Sequence, residues 1–360
     1  MKKRTNIKDI ALASGVSITT VSLIFNNKAN SIPQETINRV KQIAKEKGYQ
    51  PNAIASSLKT KRTKTIGYVM PSIENNFFAE IAQRVEKIVS TYGYNIIICS
   101  SNDKFEKDYS SISTLSSRMI DFLIYCPSAE TLTNGNLKRI NDLLSTINIP
   151  YVVVDRQLEG DIKNKVVCDD HQGGVIATQY LIDNGHRCIG CITGPLETSS
   201  AQNRFAGYVD CLMNNHITYD KSLVQYGNFD VNSGYEACKK LLENNNITSI
   251  FACNDLMAYG AIKAIKEAKK SIPNDISIIG YDDLIYSQFL DVPLTTIHQD
   301  MDGIATAIGE LIINVLEKGS NEITIKVVPS YLVERTSVCR REKWNDKKRS
   351  RCSKIPYTQK

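Results

Sequence analysis

Residues 6–26, NIKDIALASGVSITTVSLIFN, decide how this chain is read. Asn6 followed three positions later by Asp9 reads as a helix N-cap with a carboxylate in the first turn. A first helix is therefore predicted through Ile10, Ala11 and Ala13 to a turn at Gly15. Glycine takes the left-handed conformation such a turn needs. Ser17 caps a second short helix, with Val21, Ile24 and Phe25 on an inward face and Ile18, Thr19, Ser22 and Leu23 pointing elsewhere. Two short capped helices around a glycine also occur in small helical cores. As a helix-turn-helix, the second helix is the one that enters a DNA major groove.

Charge favours the DNA reading. Residues 1–64 hold 13 Lys/Arg against 3 Asp/Glu, whereas the whole chain is only +6. Residues 65–339 carry 22 basic and 33 acidic side chains, and residues 340–360 carry 9 and 2. A basic head on an acidic body offers a polyanion one docking face. The expected divisions are a helix-turn-helix domain at 1–50, a linker at 51–64, a body at 65–339 and a basic, disordered tail at 340–360. Within the head, Ile37, Val40, Ile43 and Ala44 recur at helical spacing in a third helix that begins near Pro33 and ends at Gly48.

At 360 residues and 42 % hydrophobic content the chain suits two or three soluble domains. Its start lacks a signal-type apolar run and no 18-residue apolar span occurs, so a cytosolic protein without membrane contact is expected. The ten cysteines are scattered through apolar segments and read as reduced, buried thiols. No metal site is expected, since Cys188 and Cys191 are three apart in a strand and the four histidines lack ligand spacing.

From Thr65 onward strands and helices alternate. TIGYVM, YNIIIC, DFLIYC and YVVVD are followed by a second series, KVVC, CIGCIT, SIFAC and SIIGYD. Such alternation implies parallel sheets with helices on both faces, and two series imply two lobes with a cleft. TTIHQD near 295–300 is expected to cross back to the first lobe, and EITIKVVPSYLVERTS to supply the last strands. Ligands of such sheets bind beyond the carboxyl ends of the strands. Three groups fall there: aromatic Phe77, Phe78 and Phe229; charged Asp155, Arg156, Arg204 and Asp282; amide Asn75, Asn254 and Gln299. Aromatic faces with carboxylates, guanidinium groups and amides suit a polyhydroxylated ring. Each has a plainer alternative: Phe77 and Phe78 as core, Asp155 and Asp282 as turn caps, Arg204 as a solvated helix residue. No phosphate-binding loop, dinucleotide fingerprint or nucleophile elbow is present, so neither an enzyme nor a cofactor is expected.

The opening NIKDIALASGVSITTVS resembles that of lac-repressor-type transcriptional regulators, and the resemblance runs through residue 339. It implies an α/β protein: an all-α helix-turn-helix head, then a two-lobed, periplasmic-binding-protein-like sensor with doubly wound parallel sheets. It implies operator contacts from Asn6, Ser17, Ile18, Thr19, Thr20, Ser22, Leu23 and Asn26, and from Asn52, Ala55 and Leu58 of a hinge helix whose leucine wedges into the minor groove. It implies a homodimer on a near-palindrome. NNFFAE, VVVDRQ, NFDVNSGY, CNDLMAYGA, IGYDD and TTIHQ look most like ribose-operon repressors and ribose-binding proteins, with ribose as inducer and the ten strand-end residues as its pocket. Another pentose or hexose, or a purine corepressor, is the alternative, and a sugar-transport component a distant one.

Overall fold

In the computed structural model, residues 5–25, 29–50 and 62–341 are described. The expectations for Asn26, for Asn52, Ala55 and Leu58, and for the tail from 342 onward lie outside the described residues. The chain divides into two compact units, 1–63 and 64–360.

The first unit holds α1 (Ile7–Ser14), α2 (Ile18–Phe25) and α3 (Gln34–Glu46). Asn6 caps α1 in a full capping box: its Oδ1 accepts from Lys8 N and Asp9 N, while Asp9 Oδ2 accepts from Asn6 N. Gly15, at φ +67°, ends α1, and the chain bends by 107° into α2, an angle suited to a helix-turn-helix. Ile10, Ala11, Val21, Ile24, Val40 and Ala44 close the core. Each of its larger aliphatic side chains contributes about 1.5–3 kcal/mol on burial. Phe25 packs from the side, edge-on to Tyr49 at 5.5 Å. Pro33 occupies the cap position before α3 rather than an early helical one.

The second unit carries two six-stranded sheets. The first runs β11 (Ile325–Val328), β5 (Lys165–Cys168), β4 (Tyr151–Val154), β3 (Phe122–Tyr125), β1 (Thr65–Met70), β2 (Asn95–Ser100), all parallel. Helices α4 (Asn76–Ser90) and α11 (Met301–Lys318) pack on one face, over Ile66, Tyr68 and Met70. Helices α5 (Phe105–Ser117) and α6 (Asn134–Thr146) pack on the other, over Val69, Leu123 and Val153. Central strands such as TIGYVM are apolar throughout because both faces are covered.

The second sheet runs β12 (Ser330–Val333), β10 (Thr295–Gln299), β9 (Ser277–Asp282), β8 (Ser249–Ala252), β6 (Ile189–Thr193), β7 (Val224–Tyr226), with only β12 antiparallel. Its helices are α7 (Asp170–Asp183), α8 (Ser199–Asn214), α9 (Val231–Leu242) and α10 (Asp255–Glu267). Strand order reverses between β1 and β3 in one lobe and between β6 and β8 in the other. Those reversals part the loops above the sheets and open the crevice where ligands of such folds sit.

Three connections join the lobes, after Cys168, Gln299 and Val328. Asp169 N donates to Val328 O at 2.9 Å, so two of the connections are hydrogen-bonded side by side. TTIHQ itself is a strand of the second sheet, and the return to the first lobe follows it instead of lying within it. Leu284, from the loop after β9, sits in the first lobe's core beside Phe77 and Phe78.

Candidate functional site

In the head, α2 presents Ile18, 44 % exposed, and Thr19 on its first turn, with Ser22 and Leu23 half-buried behind them. Ser17 Oγ accepts from Thr20 N at 3.0 Å and lies 2.9 Å from Thr20 Oγ1. These two hydroxyls therefore fix the start of α2, as the side chain of Asn6 fixes α1. No acidic residue occupies the first turn of α2, so nothing opposes a phosphate at its positive end.

Contacts and charge interactions join seven of the ten strand-end residues across the two lobes, Asp155, Arg156, Arg204, Phe229, Asn254, Asp282 and Gln299, and no such contact joins Asn75, Phe77 or Phe78 to them among the described residues. Asn75 and Asn254 act first as helix caps: Asn75 Oδ1 accepts from Phe77 N, and Asn254 Oδ1 accepts from Met257 N. Asn254 Nδ2 also donates to the Phe229 carbonyl and fixes that residue at φ +60°. Gly194 makes room for the Phe229 ring, since a β-carbon there would overlap it. The rings of Phe77 and Phe78 meet edge-on at 5.2 Å and are buried among Leu284 and Met70. Both are 3 % exposed and belong to the first lobe's core.

Charge is concentrated below them. Arg204, 3 % exposed, donates Nε to Asp170 Oδ1 and Nη1 to the Cys253 carbonyl, both at 2.8 Å, and its guanidinium lies 3.8 Å over the Tyr281 ring. Asp282 stands 3.5 Å from Arg204 Nη1 and accepts from Gln299 Nε2 at 2.7 Å. Arg156 reaches Asp103 and the Pro127 carbonyl through Nη1, and its guanidinium lies 5.8 Å from the Phe229 ring centre. Burial raises the carboxyls of Asp155, Asp170 (to about 6) and Asp282 above the usual range, against the pull of Arg204. Burial also opposes the Arg204 charge, but Asp170 and its neighbours outweigh it and hold the guanidinium protonated.

Several buried side-chain atoms here have no partner: Asp155 Oδ1, Arg156 Nε, Thr193 Oγ1 and Gln299 Oε1, with Tyr68 Oη on the neighbouring β1. A buried polar atom left unpaired costs about 1–3 kcal/mol, so a ligand or water that pairs with these atoms is favoured there. Gln157 N donates to Ser199 Oγ across the lobes at 2.8 Å, at the edge of this cluster. A separate groove of about 650 Å³, between Asn141, Lys163 and Ile323, lies near the opposite ends of the first sheet's strands and holds none of these residues.

Asp103, Asp170 and Thr193 belong to the site and were not singled out in the sequence. All three lie at or just after strand ends, β2, β5 and β6, so the strand-end rule was a signal for them. Tyr68 sits inside a strand, where no such signal exists.

Comparison with known proteins follows the two units. Residues 6–52 match the family model described as bacterial regulatory proteins, lacI family, and residues 178–338 match a periplasmic binding protein-like domain. The chain is 35 % identical over 332 residues to the HTH-type transcriptional repressor PurR of Histophilus somni (strain 2336), covering 92 % of this chain and 98 % of that one. It is 37 % identical over 336 residues to the PurR of Pasteurella multocida (strain Pm70), covering 92 % and 98 %. Among solved structures, the lac repressor dimer bound to operator and the anti-inducer ONPF matches with a TM-score of 0.81 over 94 % of this chain and 100 % of that one. At 24 % identity that likeness concerns the fold alone. A LacI-family regulator from Enterococcus faecium with bound ribose matches with a TM-score of 0.69 at 27 % identity, over 77 % of this chain and 100 % of that one. The expected affinity with ribose-operon repressors finds no support in these relatives: the two named above, which cover nine-tenths of the chain, bear the name PurR.

Proposed function

This chain belongs to the lacI family of bacterial regulatory proteins and is a DNA-binding transcriptional repressor, and we propose that a purine base bound between its lobes acts as corepressor. The observation that carries a cleft effector is the cluster of buried, unpartnered atoms on Asp155, Arg156, Thr193 and Gln299. A purine suits it because its flat ring fits against Phe77 and Phe229 while its ring and exocyclic N–H groups meet Asp155 and Asp282. The PurR-named relatives support this choice over a sugar. In this reading Ile18, Thr19, Ser22 and Leu23 meet operator bases, and two copies bind as a homodimer. Exposed Ile285, Tyr286 and Phe289 offer such a dimer an apolar patch.

D-ribose acting as inducer is the second reading, favoured by the ribose-bound Enterococcus faecium relative and by the carboxylates of Asp155 and Asp282, which can accept from ring hydroxyls. Calorimetric titration with hypoxanthine, guanine and ribose, with operator retardation in parallel, separates the two. Allosteric coupling of about 1–3 kcal/mol gives a 5- to 150-fold change in operator affinity. We expect a purine base to bind and tighten operator binding. Ribose binding that releases operator supports the second reading, and indifference of operator affinity to all three refutes both.

A further inference from the structure

Arg156 and Arg204 are both paired before any ligand arrives. Arg156 is answered by Asp103 and Arg204 by Asp170, two carboxylates outside the ten strand-end residues. What the protein leaves without a partner is mostly acceptor: Asp155 Oδ1 and Gln299 Oε1 stand against one guanidinium N–H, Arg156 Nε, and Asp282 has only Gln299 at close range with Arg204 at 3.5 Å. Four carboxylates thus face two guanidinium groups. Burial raises the carboxyls of Asp155, Asp170 and Asp282, and the pull of Arg204 does not cancel it.

An anion entering such a cleft loses its hydration and meets only guanidinium groups whose charge a carboxylate already balances, with the single N–H of Arg156 Nε to offer. We infer that the cleft admits uncharged, hydrogen-bond-donating molecules and rejects their phosphorylated forms, with Asp103 enforcing the rejection by pairing Arg156 in advance. This rests on the cleft being the effector site. Asp103 is well placed for the task. Its Oδ1 accepts from Ala129 N at 2.7 Å as well as from Arg156, and its own N donates to the Pro71 carbonyl. One residue thereby joins the loops after β1, β2, β3 and β4, its backbone reaching the first and its side chain the last two. Its backbone φ of +57° is one that asparagine also tolerates, so Asp103→Asn removes the charge and keeps the acceptor for Ala129.

The test is calorimetry on the full-length wild type and Asp103→Asn with hypoxanthine, ribose, inosine monophosphate and ribose 5-phosphate. Wild type is expected to give no binding heat with either phosphate at millimolar levels. Asp103→Asn is expected to gain phosphate affinity by about tenfold or more as Arg156 loses its counter-charge, and phosphate is expected to raise the unfolding temperature of the variant but not of wild type. Wild type binding a phosphate as tightly as its uncharged counterpart overturns the inference, as does a variant with no gain. The phosphate arms stand apart from effector identity: if neither hypoxanthine nor ribose binds while the variant gains phosphate, the purine and ribose readings fail and charge exclusion holds.

Discussion

Asp155, Phe229 and Asp282 hold φ values of +64°, +60° and +108°, and Asn102 and Asp103 hold +50° and +57°. A side chain in such a backbone costs about 1–3 kcal/mol, which the surroundings must offset. For Phe229 the offset includes the hydrogen bond from Asn254. Asn254→Ala should lower stability by about 1–2 kcal/mol through the lost cap, and should weaken effector binding because Phe229 is released. Chemical denaturation and calorimetry read the two effects separately, and an unchanged effector affinity would contradict the role given to Phe229. His186 provides a pH probe away from the cleft. Its Nδ1 faces Thr248 Oγ1 at 3.0 Å and its Nε2 the Cys339 carbonyl at 3.2 Å, and burial pushes its pKa down from 6.5 to about 4. Below pH 6.5 the unfolded chain takes up the proton that the folded chain refuses, so this contribution is complete above pH 6.5 and is lost as pH falls toward 4. Between pH 7 and 5 the stability advantage of wild type over His186→Gln should shrink by about 2 kcal/mol. Urea unfolding at the two pH values checks this, and a constant difference would refute it. Arg156 and Asn254 stand just after β4 and β8, the positions from which the sequence proposes a ligand, whereas Asp103 and Asp170 obey the same rule and were passed over. An aspartate after a strand is usually a plain cap, and only its distance to an arginine shows otherwise.

At the level of elements, α2 carries the operator's choice. Leu23 offers a base only apolar contact, for instance with a thymine methyl, whereas arginine can take guanine O6 and N7 together. Leu23→Arg should shift the preferred base at one position of each half-site toward guanine, worth about 1–3 kcal/mol. Selection from random DNA reads this directly, and an unchanged preference would remove Leu23 from the interface. The loop between β9 and β10 is held from below by Asp255, whose carboxylate accepts from Leu284 N, Ser287 Oγ and Thr296 Oγ1 at 2.6–2.8 Å. Burial raises its pKa to about 6. Through Leu284 it sets how the second lobe enters the first lobe's core. Long periodic segments such as α4 and the apolar strands were legible element by element. The strand β7 was not, because it is three residues long with an exposed Tyr226 at a sheet edge. The helix α11 was not either, because residues buried around much of its circumference blur the helical period.

For the molecule as a whole, the homodimer proposed above should sediment as a dimer both in full length and after removal of residues 340–360, since that tail has no leucine heptads. Tetramers that vanish on its removal would refute this. The three lobe connections have a different consequence, which concerns synthesis. A ribosome that has delivered residues 1–300 has produced the head and ten strands, yet neither lobe is whole: the first still lacks α11 and β11, the second β12. Domains fold as units, amino-terminal first, at synthesis rates of about 5–20 residues per second. The sensor therefore emerges with both cores open until its last forty or so described residues appear, while the segments that build the head are already complete. Protease protection of arrested nascent chains should appear for the head early and for both lobes together near residue 340. A premature stop between residues 300 and 330 thus yields a chain with the DNA-reading segment intact and no finished receptor to govern it.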